Sequence, residues 1–121
     1  MLFNAEIEQL FNGFTVDNKA VELAYLFYDK HAAQYIVYSQ VDSMNSYSGD
    51  DEIQGVVAVY DFDIYVKANT TPNLYQIAQA VKDLLKANSW TWQPNRDGPD
   101  LYDVETGYYH KTICFAKPIQ I

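Results

Sequence analysis

Much of what would mark an enzyme or a secreted protein is missing from this sequence. Cys114 is the only cysteine, so no intrachain disulfide can form. Its place in a strand-like run makes it read as a small buried hydrophobe, suited to a reducing compartment. Cations are also scarce, with 8 Lys plus Arg against 16 Asp plus Glu and a formal charge of −8. Such a field repels phosphate backbones and anionic lipid heads, which disfavours nucleic-acid and membrane binding. No apolar run reaches transmembrane length: Glu22 interrupts the first candidate, and Asp61 and Asp63 the next. The first residues, Met1 to Glu8, carry no basic region or long apolar stretch, so no secretion signal is expected and the cytosol is the expected compartment. Glycine-rich phosphate loops, a nucleophile elbow, metal-ligand spacings, internal repeats and interdomain linkers are missing too. No catalytic, metal or cofactor site is therefore expected. What remains is 121 residues, 49% hydrophobic and 20% charged, the balance of one folded domain.

Periodicity divides the chain into elements. Phe3, Ile7, Leu10 and Phe11 recur at helical spacing before Gly13. After a turn at Asp17-Asn18, Val21 to Tyr28 reads as a covered strand. Gln34 to Val41 reads as its antiparallel partner across a short hairpin. Asp42 to Glu52 has almost nothing to bury and predicts an exposed, mobile loop, with Asp42, Asn45, Tyr47, Asp50, Asp51 and Glu52 as candidate partner-docking residues. Residues 53–67 alternate most cleanly, with Ala58, Tyr60, Phe62, Ile64 and Val66 on a core face. Thr71-Pro72 then supplies a cap and first-turn proline for a helix whose stripe is Leu74, Ile77, Ala78, Val81, Leu84 and Leu85. Trp90 to Trp92 is extended, Pro94 to Asp100 breaks it, and a last strand runs from about Gly107 to Lys117. The fold expected is α+β: a mostly antiparallel sheet of four to five strands with two helices on one face.

The second face of strand 53–67 carries Val57, Val59, Asp61, Asp63 and Tyr65, a mixed surface suited to a protein partner. The 11 tyrosines point the same way, toward oligomer formation, because Tyr joins large contact area to a polar tip. Other readings of these residues are weaker. Asp61 and Asp63 could act as paired carboxylates or hold a cation, but no third ligand has matching spacing. His110 and Cys114 are four residues apart on a strand, about 13 Å along it, so only His31 could meet the thiol through the fold. The oxygen-rich loop 42–52 lacks the alternation, central glycine and final glutamate of a calcium loop. Arg96-Asp97-Gly98 is three residues of a turn.

A resemblance rests on Val37-Tyr38-Ser39-Gln40, Ser48 to Glu52, Tyr60 to Tyr65, Trp92-Gln93-Pro94 with Arg96, and Gly107 to Thr112 with Phe115. Together these resemble the tail terminator, or tail completion, proteins of siphophages and prophages, over about residues 20 to 116. That family implies a small α+β subunit forming a six-membered ring on the head-proximal end of the tail tube. The ring ends tube growth and offers a docking surface to the head–tail connector. The implied partners are further copies of the chain, the tail tube protein and the connector, in the host cytoplasm and then in the virion tail. A neighbouring connector or minor tail role is the near alternative. A small acidic DNA-mimic inhibitor is an alternative of another class.

Overall fold

The computed structural model describes residues 3–47 and 53–120. Its first element is α1 (Asn4–Leu10), followed by a small hairpin of β1 (Thr15–Val16) and β2 (Lys19–Ala20). Asp17 and Asn18 both adopt positive φ, 51° and 63°. Two left-handed residues in a two-residue hairpin turn favour short polar side chains, and Asp-Asn supplies them.

The main sheet holds β3 (Glu22–Tyr25), β4 (Gln34–Tyr47), β5 (Ile53–Lys67), β6 (Thr91–Trp92), β7 (Leu101–Asp103) and β8 (Tyr108–Gln120), and between β5 and β6 comes α2 (Leu74–Ala87). The order across the sheet is β3-β4-β5-β8-β6, with β7 also on the outer edge of β8. The architecture is α+β and mostly antiparallel.

Four expectations need correction. β3 pairs with β4 in parallel, Glu22 opposite Tyr35 and Tyr25 opposite Tyr38, not as a hairpin. Leu26 takes φ 66° and ends the strand after four residues, so the short segment 26–33 can carry the chain back along it. Residues 42–47 continue β4 and pair with β5 after a bulge between Gln40 and Asp42, so Asp42, Asn45 and Tyr47 are strand residues. Asp50, Asp51 and Glu52 lie outside the described residues. Asn73, not Thr71, caps α2: its side chain accepts from the Gln76 N–H while the Gln76 side chain accepts from the Asn73 N–H. Residues 101–103 form a strand within the expected break.

Both helices cover one face of the sheet. Tyr60, Phe62, Ile64 and Val66 of β5 meet Ile7 and Phe11 of α1 and Ile77, Val81 and Leu85 of α2 in one buried cluster. Each such aliphatic or aromatic side chain contributes about 1.5–3 kcal/mol. Polar bonds fix α1. The Tyr60 hydroxyl accepts from the Phe3 N–H and donates to Asn4 Oδ1, both at 2.9 Å. The Tyr38 hydroxyl donates to Glu8 Oε2 at 2.6 Å. Glu6 Oε2 accepts from Trp90 Nε1 at 2.8 Å and Lys117 Nζ at 2.7 Å. Among the described residues no helix is long and apolar enough to cross a membrane.

Candidate interaction face

Register fixes the composition of the face that carries no helix. In a sheet, paired residues point the same way, so each row can be read across the strands. One row runs Glu22, Tyr35, Tyr65, His110, the next Ala24, Val37, Asp63, Thr112, the third Ser39, Asp61, Cys114, and the fourth Asp42, Val59, Ala116. Val57, two residues before Val59, packs against it, so all five residues singled out on β5 share this face.

They do not share one environment. Val59 is fully buried, packed with Cys114, Ala116 and part-buried Val57, and is not available as a contact. Thr91 pairs with Ala116 at the outer edge, and from the turn that follows, Arg96 reaches to Asp42 at 3.6 Å, so this ion pair spans the row in which Val59 lies. Alternation alone shows which way a side chain points, not what lies over it. Asp63 Oδ1 accepts from the Thr112 hydroxyl at 2.6 Å. Asp61 accepts from the Cys114 thiol, yet its carboxyl pKa is raised, chiefly by burial. The thiol is pushed up to about 12 by burial and by Asp61, so it stays protonated and is a poor nucleophile. Among the described residues no three His, Cys, Asp or Glu side chains converge as a metal site.

The first row becomes an aromatic stack. Tyr28 lies on Tyr35 with ring centres 4.0 Å apart, Tyr35 on Tyr65 at 4.7 Å, and Tyr65 on His110 at 4.3 Å with the planes 3° apart. Tyr108 meets Tyr35 edge-on at 5.6 Å, and its hydroxyl donates to the Ala32 carbonyl at 2.7 Å. Burial and neighbouring Tyr65 push the Tyr35 phenol up to about 12. This stack floors a cleft of about 1020 Å³, walled by residues 28–31 on one side and 101–106 on the other. Tyr28, Tyr35, Tyr108 and His110 escaped the sequence reading as a group because three separate segments deliver them.

The helix-free face carries an excess of acid. Glu22, Asp42, Asp61 and Asp63 in the rows, with Asp29, Asp103 and Glu105 around the cleft, outnumber Lys30, Lys67 and Arg96 on the same face. The helix side holds other lysines: Lys82 and Lys86 lie against the Trp92 ring at 4.1 and 5.1 Å, and Lys117 bonds Glu6.

No protein-family model matches the chain, and no curated protein matches it in sequence.

Proposed function

We propose that the protein is a non-catalytic phage or prophage tail component that assembles with further copies of itself as a ring at the head-proximal end of the tail tube. In this reading the ring, six-membered in the family it resembles, stops tube growth and presents a docking surface to the head–tail connector. The observation that carries the reading is the acidic, half-buried, helix-free face. Such a face can line a passage for DNA without gripping its phosphates, leaving the sheet edges and the helix layer for contacts between copies. Val57, Asp61, Asp63 and Tyr65 are its candidate lumen or contact residues. A buried, protonated thiol supports a structural role over a catalytic one.

The acid-rich face also gives a DNA-mimic reading something to rest on. Asp63, Asp61 and Asp42 are, however, tied to Thr112, Cys114 and Arg96, unlike a row of free phosphates. The test is electron microscopy of lysates from a phage or prophage lacking the gene, beside a complemented control. Overlong headless tubes, restored to fixed length by the gene, are the expected result. Tails of normal length that fail to join heads would move the role to the connector, and normal infectious particles would overturn it. An Asp61→Asn, Asp63→Asn chain that complements fully would remove these two carboxylates from the mechanism.

A further inference from the structure

We infer that the aromatic cleft is a docking site for an extended, arginine-bearing segment of another protein. The inference stands independently of the tail reading.

Three features of the cleft converge on that chemistry. Its floor is built of tyrosine rings, and one already attracts a cation: Lys67 Nζ lies 5.8 Å from the centre of the Tyr108 ring. Acid outnumbers base in its lining, Asp29, Asp103 and Glu105 against Lys30 and Lys67, and among the described residues none of the three carboxylates forms an ion pair. One wall also holds apolar side chains out to solvent: Leu101 is 51% exposed, Tyr102 48% and Val104 82%. Apolar surface beside carboxylates and aromatic rings is what the arginine side chain matches, with an aliphatic stem and a planar, weakly hydrated head that stacks on tyrosine and pairs bidentately with carboxylates. At about 1020 Å³ the cleft exceeds what one side chain would fill and has room for several consecutive residues. His110 Nε2, buried in the floor without a hydrogen-bond partner, leaves polar capacity that the chain itself does not use. A nucleic acid is disfavoured by the same rim carboxylates.

The experiment is an amide NMR titration of the full chain with three blocked hexapeptides, alternating leucine with arginine, lysine or glutamate. The arginine peptide should shift amides of residues 28–31 and 101–108, bind several-fold more tightly than the lysine peptide, and weaken as salt is raised, because the rim is exposed. The glutamate peptide should not bind. An Asp103→Asn, Glu105→Gln variant should bind the arginine peptide about tenfold more weakly. Both residues are exposed and neither enters the core, so folding should persist. Val104→Ser tests the apolar wall in the same way. Equal affinity for arginine and lysine, shifts centred on Asp61 and Asp63 instead of the cleft, or unchanged binding by these variants would overturn the proposal. Cleft amides that move with protein concentration in the absence of peptide would overturn it in favour of a second copy as the occupant.

Discussion

Removing one oxygen atom, in Tyr60→Phe, tests how the first helix is held. The Tyr60 ring stays in place against Trp90, 5.6 Å between centres, and Phe62, so only the hydroxyl is lost. With it go a bond from the Phe3 N–H and a bond to Asn4 Oδ1. Phe3 is one of the donors that a helix start cannot satisfy internally. At about 1 kcal/mol for each bond, the expected loss is about 2 kcal/mol. Near the midpoint this corresponds to a fall of about 8 °C, from an unfolding entropy of about 2.1 cal/mol/K per residue. The damage should be local as well as global, because a helix of seven residues does not hold in water without docking. Native-state hydrogen exchange should therefore show Ile7 and Phe11, whose N–H groups bond the Phe3 and Ile7 carbonyls, losing more protection than the amides of β5 and β8. A midpoint drop below about 2 °C, with protection at Ile7 unchanged, would refute the idea that hydroxyl bonds hold α1.

Further expectations concern the helix-free face and the second helix. Burial raises the Asp61 pKa, so the folded state holds that proton more tightly than the unfolded chain, and its contribution to stability falls as pH rises through the region above the ordinary aspartate range. Asp61→Asn, which still offers the thiol an oxygen, should unfold at a higher temperature than the parent at pH 7, with the advantage fading on acidification. A lower midpoint at pH 7 would show that burial is not the dominant influence. Cys114 should react with a thiol reagent at pH 8 only as fast as the protein unfolds, since it is fully buried and its pKa is pushed up to about 12; prompt labelling of the native protein would contradict this. Asn73→Ala should cost about 1 kcal/mol in urea unfolding, whereas Thr71→Ala should cost less than half of that, which separates the observed cap from the one expected.

The helix-facing half of the fold was legible because its signals are local and periodic. The α2 stripe, Leu74 to Leu85, and the β5 alternation, Ala58 to Val66, each recur over several periods, and both elements bury the face they advertise. Legibility failed where a decision depends on distant chain. Val21 to Tyr28 reads as strand throughout, but the left-handed turn at Leu26, an unfavourable conformation for a bulky residue, ends it and reverses the sense of pairing. Leu101 to Asp103 is exposed at every residue, so no alternation marked it, and it is strand only because β8 offers an edge. Asp42 to Tyr47 is mostly polar but gains its ladder from β5. The strand face with Val57, Asp61, Asp63 and Tyr65 could be found by counting residues in twos. The burial of Val59 and the assembly of the cleft could not, since both depend on cross-strand register.

The anchoring of α1 bears on the order in which the chain can mature. Its first helix is pinned by Tyr38 and Tyr60, and also by Trp90 and Lys117 from the far end of the sequence. During synthesis α1 leaves the ribosome before β4, β5 and β8, and it finds its last anchors only after β8 has emerged and paired with β5. The berth of α1 is thus incomplete until Lys117, 111 residues after Glu6, has been made. Premature termination upstream of Lys117 yields a chain whose helix α1 lacks the Lys117 bond to Glu6.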